Sequence, residues 1–303
     1  MSSERSWSTR GEVRSPLGGL IRTPARPDNW VVPGPRPAPA HRWADAGPRL
    51  GEDLCFLSGD WRILQRIDGH RFSLDDLVTA WVGCCVMSDR EVSKICDLGC
   101  GIGSVLMMAA WRFPSAHLVG VEAQEMSASM ATRSIEINGI QDRCRVIHSD
   151  FREVDLANVG PFDLITGTPP YIPLGDGIIS KRPQCGPCRH EFRGGVEAYC
   201  VTARRYLAPQ GQFVMCQAAG DRSRVQAAAK SAGLTISTGL EVIPRMGRNP
   251  LFSVFVMTAQ RPDTIHAPLV MDRFVVRDEQ GRRTTACRTM RDQMGFPPSK
   301  AEA

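Results

Sequence analysis

The chain has 303 residues, 42% of them apolar, and 37 Lys and Arg stand against 32 Asp and Glu for a net charge of +5. That apolar content excludes disorder throughout and suits one large domain or two of ordinary size, while the absence of any run of eighteen apolar residues excludes a membrane-spanning helix in the usual pattern. The charge is uneven: residues 1–49 carry +4, residues 261–303 carry +2 and the body between them −1, so the excess does not describe a basic domain face.

Between Pro16 and Pro48 lie eight prolines and almost no apolar periodicity, and residues 1–50 are therefore expected to form a disordered Pro- and Arg-rich arm. Short apolar runs begin near Leu54. Val92–Cys96 then predicts a strand, Ser104–Arg112 a buried helix stopped by Pro114, His117–Val121 a strand, and Gln124–Asn138 a helix closed by Asn138-Gly139. Strands follow at Cys144–His148 and Phe162–Thr166. After a polar, Gly- and Pro-rich loop at 172–194, the spacing of Val196, Tyr199, Cys200, Ala203, Tyr206 and Leu207 marks one face of a helix, ended by Pro209-Gln210-Gly211. The remaining elements are Gln212–Cys216 (strand), Asp221–Ala232 (helix) and two antiparallel strands, Leu234–Ile243 and Leu251–Thr258. Such alternation predicts a mostly parallel sheet covered on both faces, with ligands at the carboxyl ends of its strands. The expected organisation is the arm, a domain over 51–260, and an extension over 261–303 that packs on it and ends in disorder. Eleven scattered cysteines suit a reduced, intracellular protein, cytoplasmic by expectation. The Arg- and Ser-bearing start also resembles a mitochondrial transit segment, and no secretory signal is visible.

Asp97-Leu98-Gly99-Cys100-Gly101-Ile102-Gly103 follows a strand and opens a helix. Glycines there allow a sharp turn and close approach to a ligand. A dinucleotide would require G-x-G-x-x-G, but Ser104 stands where the last glycine would be, and Asp97 would repel a pyrophosphate. The same carboxylate suits the ammonium group of S-adenosylmethionine, which has no phosphate. Glu122 at the end of the next strand can accept ribose hydroxyls, and Asp150, followed by Phe151, can accept from an adenine amino group. Taken singly, each acid also reads as a solvated residue opening a turn.

With these residues in place, segment 95–151 resembles the class I SAM-dependent methyltransferases. The resemblance implies a Rossmann-like, doubly wound, seven-stranded sheet with an antiparallel last strand, and cofactor-binding roles for Asp97, Gly99, Gly101, Gly103, Glu122, Asp150 and Phe151. Thr168-Pro169-Pro170-Tyr171 resembles the Asn-Pro-Pro-Tyr signature of amino-methyltransferases acting on adenine N6 or on glutamine amides. Two prolines fix the backbone and free carbonyls to accept from an amine, while Tyr171 offers a flat stacking surface. Thr168 departs from the signature, since a Thr hydroxyl is shorter than an Asn amide and donates as well as accepts. Gln65 to Asp76 (QRIDGHRFSLDD) is similar to a motif of bacterial tRNA (adenine-N6)-methyltransferases acting on valine tRNA. This implies that Phe72, Ser73 and Asp76 close the cofactor pocket, although Ser73 also reads as a helix cap. Residues 269–297 look similar to the ends of the same relatives.

Lys181, Arg182, Arg189 and Arg193 in the loop after Tyr171 are candidates for gripping a phosphate backbone. Cys185-x-x-Cys188-x-His190 lacks the partners that would complete a zinc site, so no metal is expected. The leading expectation is SAM-dependent transfer of methyl to an exocyclic amine, adenine N6 in RNA, with tRNA as the kind of partner. Methylation of a protein glutamine or other side-chain nitrogen, and a SAM-binding protein without activity, remain as alternatives. Oligomeric state is left open. Contact with a polyanion is expected to use the loop and the arginine-bearing ends, so that loss of residues 1–49 would weaken RNA binding alone.

Overall fold

A computed structural model of the chain describes residues 11–23, 26–39, 45–177, 179, 184–260 and 269–298. In chain order the elements are β1 (Gly11–Arg14), β2 (Leu20–Thr23), β3 (Glu52–Phe56), β4 (Arg62–Arg66), α1 (Leu74–Val86), β5 (Lys94–Leu98), α2 (Ser104–Arg112), β6 (His117–Glu122), α3 (Glu125–Asn138), β7 (Cys144–His148), β8 (Phe162–Gly167), α4 (Cys185–Arg189), α5 (Val196–Tyr206), β9 (Leu207–Ala218), α6 (Arg222–Ser231), β10 (Leu234–Ile243), β11 (Phe252–Ala259), β12 (Met271–Val275) and α7 (Thr285–Gln293). The large sheet has eight strands in the order β12-β10-β11-β9-β8-β5-β6-β7, and β11 alone runs antiparallel to both neighbours. This is the Rossmann-like, doubly wound arrangement expected, with two corrections. There are eight strands rather than seven, and the antiparallel strand is not the last, because β12 adds beside β10 in parallel.

The period-two alternation of the strands divides the core between two layers. Ile95, Leu164, Val214 and Val254 face one layer with α1, α2 and α3, whereas Cys96, Ile165, Phe213 and Phe255 face the other with α5 and α6. Pro209-Gln210-Gly211 does not precede β9 but lies within it. Leu207 pairs with Phe162 and Gln212 with Leu164, so the extra residues form a bulge and the strand starts earlier than the proline suggests.

The expected disordered arm is also corrected. β1 and β2 join β3 and β4 in a separate four-stranded sheet, and the Pro-rich segment lies on the main body. Ala38 N–H donates to the Ile137 carbonyl at 3.1 Å, and Gly34 approaches the Trp111 ring so closely that an added Cβ would stand 2.4 Å from it. Order here comes from tertiary contacts that local periodicity cannot reveal, with prolines reducing the entropy lost on docking. Loss of residues 1–49 would therefore strip packing from α2 and α3 rather than remove a free arm.

The small sheet is fixed to α3 by polar contacts. Leu64 N–H donates to Ser134 Oγ at 3.0 Å, and Arg62 exchanges two 2.8 Å bonds with the Asn138 amide. Arg133 donates to both oxygens of buried Glu52 at 2.7 and 2.9 Å. In the large sheet, chain order reverses between β5 and β8, whose neighbours lie on opposite sides. That switch point opens a crevice at the carboxyl ends, where the 97–103 and 168–171 turns meet.

Candidate active site

The turn after β5 depends on two glycines. Gly99 has φ +62° and Gly101 φ +55°, and a Cβ on Gly99 would lie 2.3 Å from the Tyr199 hydroxyl. Glu122, at the end of β6, accepts from Gly101 N–H at 2.9 Å and Gln124 N–H at 2.7 Å, which locks the turn against the next strand. Burial raises its pKa above the ordinary carboxylate value against those two bonds. Gly99, Cys100, Gly101, Ile102, Glu122, Asp150 and Phe151 line one cavity, a concave site with convergent polar groups of the kind that takes a small molecule.

Asp97 stands behind that wall and does not line it. Oδ1 accepts the Thr166 hydroxyl at 2.7 Å, while Oδ2 is buried with no hydrogen-bond partner among the described residues. Burial lifts its pKa to about 7. Asp76 does line the cavity, accepting from Ser104 Oγ at 2.8 Å and Ser73 N–H at 2.8 Å. Burial, then the nearby Asp75 charge, lifts it to about 7 as well. Two acids so placed in low dielectric, neither hydrogen-bonded to a cation among the described residues, favour a positively charged group in the cavity that Asp76 lines. Asp150 is different: Arg152 donates to it at 2.7 and 3.0 Å and holds its pKa below the ordinary value.

A second cavity opens beside the first, lined by Gly69, Arg71, Ser73, Asp75, Pro169, Tyr171, Ile172, Cys185 and Arg189. His70, Asp76, Thr168 and Cys188 line both. Burial lowers the pKa of His70, so its ring is neutral at pH 7. The Tyr171 hydroxyl donates to Asp75 Oδ2 at 3.1 Å and lies 3.2 Å from Cys216 Sγ, which anchors the ring at the cavity wall. Thr168 is half-buried at the junction with Pro170. Helix α4 folds the following loop back, with Ile172 N–H donating to the Arg189 carbonyl at 2.9 Å and Glu191 N–H to the Ile172 carbonyl at 3.0 Å. Glu191 is in turn held by Arg224 at 2.7 Å.

The structure thus brings most of the expected residues to one crevice and relocates several. Phe72 and Gly103 do not line either cavity, and Phe72 packs against the core instead. Ser73 lines the second cavity, not the cofactor side. Arg189 faces the second cavity, but Arg193, expected to grip substrate, lines the first, where its charge partly opposes the burial that raises the Glu122 pKa and adds to the lowering of Asp150 by Arg152. Lys181 and Arg182 lie outside the described residues. Sequence reasoning missed His70, Gln124, Cys188 and Tyr199 as wall residues. Tyr199 packs on Phe151 with ring centroids 4.4 Å apart. Of these, only His70 and Cys188 lay within quoted motifs, and neither was read there as a wall of the cofactor pocket.

The glycine turn, the acids beneath and beside it, and a second cavity at the end of β8 fit S-adenosylmethionine and a methyl acceptor. The chain is a class I SAM-dependent methyltransferase. Residues 83–176 match the methyltransferase small domain family. The chain is 26% identical over 197 residues to the tRNA1(Val) (adenine(37)-N6)-methyltransferase of Bacteroides thetaiotaomicron, a match covering 65% of this chain and 79% of that one. It is 32% identical to the release factor glutamine methyltransferase of Chlorobaculum tepidum over 89 residues, 29% of this chain and 30% of that relative. A solved structure of a predicted O-methyltransferase from Agrobacterium tumefaciens shares the fold with a TM-score of 0.56 at 18% identity, over 75% of this chain and all of that one. The curated relatives named here methylate nitrogen, and SAM-dependent N-methylation is the activity of this chain that they support. Among the described residues no helix is long and apolar enough to cross a membrane.

Proposed function

We propose that the protein methylates an exocyclic amine of RNA, adenine N6, with Thr168-Pro169-Pro170-Tyr171 as the acceptor site. The observation that carries this reading is the junction of two cavities at Thr168, His70 and Asp76, one suited to adenosylmethionine and one flanked by an anchored tyrosine ring. The similarity to a tRNA adenine-N6 enzyme over 79% of that enzyme's length supports RNA over a protein acceptor.

When bound, the cofactor supplies an electrophilic methyl group on a positively charged sulfur. Asp76 would hold its ammonium group with Asp97 contributing a buried negative field, while Glu122 would take the ribose hydroxyls and Asp150 the adenine amine. On the acceptor side, Tyr171 stacks on the base. The Thr168 hydroxyl and the carbonyls around Pro169 accept from the amine N–H groups, drawing the nitrogen lone pair out of conjugation. Neutral His70 stands at the junction, able to accept the proton that leaves after methyl transfer. Orientation does most of the work in such a site, and no strong base is needed.

Incubation of the protein with methyl-labelled SAM and separated RNA and protein fractions tests the reading. Label in RNA, recovered as N6-methyladenosine on nucleoside digestion, is expected. Label confined to a glutamine of the protein fraction would replace it with the amide reading.

A further inference from the structure

Residues 244–260 and 269–298 contain eight arginines against four acids, and the topology gathers most of them at one place. β10 runs in the direction of β9, β8 and β5, because β11 between β10 and β9 is antiparallel to both. β12 is parallel to β10. The turn after β10, the turn after β12 and the start of α7 therefore lie on the carboxyl edge of the sheet, the same edge that carries Thr168–Tyr171 after β8. Four strand spacings separate β8 from β12, about 19 Å along that edge.

The two turns form one built unit. Met246 N–H donates to the Arg277 carbonyl at 2.8 Å and Val276 N–H to the Ile243 carbonyl at 2.9 Å. Arg245, Arg248, Arg277, Arg282 and Arg288 are all exposed on it. Among the described residues only Arg282 of these five has a carboxylate partner, Asp278 at 3.0 Å. Arg245 donates to the Glu279 carbonyl, Arg277 to the Gly281 carbonyl at 2.7 Å, and Arg288 to Thr285 Oγ1 at 2.9 Å. Neutral acceptors orient a guanidinium without cancelling its charge. Asp278 and Glu279 are the acids of this unit, and Asp272 sits at the amino end of β12. The catalytic body shows no comparable excess, which is why the net charge of residues 50–260 is −1.

We infer that this arginine rim is a docking surface for the phosphodiester backbone of a folded RNA, holding the nucleic acid across the sheet edge while one base enters the cavity at Tyr171. The inference rests on the RNA reading of the acceptor and adds the surface that would position it. Phosphate contacts of this kind fix register without reading sequence. A protein acceptor would gain little from five exposed guanidiniums, whereas each phosphate neutralised releases condensed counterions.

The test uses the full chain and unfractionated tRNA as the probe, with affinity measured between about 50 and 200 mM salt. The triple variant Arg245→Gln/Arg248→Gln/Arg288→Gln is compared with Arg145→Gln/Arg205→Gln/Lys230→Gln, which removes equal charge away from the rim. The rim variant is expected to bind tRNA about tenfold or more weakly, with a salt slope shallower by about 2 to 3, and to bind SAM as the native protein does. The control set should lie within about twofold of native, since its cations neutralise no phosphates. Arg248→Glu, whose native side chain makes no bond among the described residues, provides a single change that leaves the turns intact and should weaken tRNA binding severalfold. Equal tRNA affinity in the rim and control variants overturns the rim while leaving the RNA reading standing. Failure of the native protein to bind tRNA, with label appearing in protein alone, overturns the RNA reading and the rim with it.

Discussion

Two buried carboxylates in this molecule respond to burial in opposite ways. Glu52, between the small sheet and α3, would be raised by burial, yet hydrogen bonds from Arg133 and from Arg49 N–H hold its pKa below the ordinary value. Asp97, behind the glycine turn, has neutral donors such as the Thr166 hydroxyl but no cation among the described residues, and burial raises it to about 7. Burial is common to both, so the difference lies in whether the chain supplies the cation. Where it does, as at Arg133, the acid joins two elements. Where it does not, as at Asp97 and Asp76, the fold has left a negative site to be completed by a ligand. The cost of keeping those acids in low dielectric falls on the protein without its cofactor.

The sharpest way to break this contrast is to remove the internal cation. Arg133→Met should leave Glu52 buried and unpaired and lower stability by about 3–5 kcal/mol, read as a shift in the urea midpoint. SAM binding by the fraction that remains folded should be little changed. The double variant Arg133→Met/Glu52→Gln should recover much of the loss. Little change in the single variant would mean that the pair does not join the small sheet to α3.

The acids that meet no cation among the described residues should behave in the reverse sense. Asp76→Asn keeps the shape and the Ser104 and Ser73 contacts but removes the charge. It should weaken SAM binding by about 1.5–3 kcal/mol, the value of a hydrogen bond to a charged group, with the cofactor-free protein no less stable than native. Asp97→Asn, behind the wall, should have the smaller effect of the two. The sign with pH follows from the raised values. Both acids contribute stability that is fully present below the unfolded carboxylate range and is lost as pH rises through about 7, where the folded state must ionise them. A cation that favours the ionised forms should therefore stabilise more as pH rises through 7. The SAM-induced increase in melting temperature should grow across that interval and flatten in Asp76→Asn/Asp97→Asn. An increase independent of pH in the native protein would show that neither acid meets the ligand's charge.

The contrast was only partly legible in the sequence. The glycines, Asp97, Glu122 and Asp150 were readable because strand ends and turn chemistry follow from local pattern, and so was the sheet from β5 to β8. Glu52 and Arg133 are 81 positions apart and meet only through docking of the small sheet, which no local period encodes. The same cause hid β1 and β2 in a proline-rich segment. β12 was missed because only Phe274 of MDRFV is buried, so an edge strand there carries no alternation to detect. Tyr199 appeared in the sequence as one more residue of a helix face. A face that covers a sheet and one that borders a cavity have identical spacing. Arg193 was assigned to substrate because the return of its loop over Ile172 depends on backbone contacts outside any motif.

Asp150 falls between the two classes and gives the smallest effect. Its partner Arg152 is two residues away, and the pair is partly open to solvent, with 43% of the Arg152 side chain exposed. An exposed pair of this kind contributes about 0.2–1 kcal/mol, so it cannot fix the fold as Arg133 does. It can still compete for the oxygens that would accept the adenine amine, and its charge opposes that of the cofactor. Arg152→Ala should therefore tighten SAM binding by at most about fivefold, the equivalent of 1 kcal/mol, and lower stability by no more than about the same amount. Asp150→Ala should weaken binding. Titration calorimetry on both variants separates the outcomes. Weaker binding in Arg152→Ala would mean that the arginine helps to hold the adenine edge, and Asp150 would then belong with Glu52, among the acids whose cation the chain itself supplies.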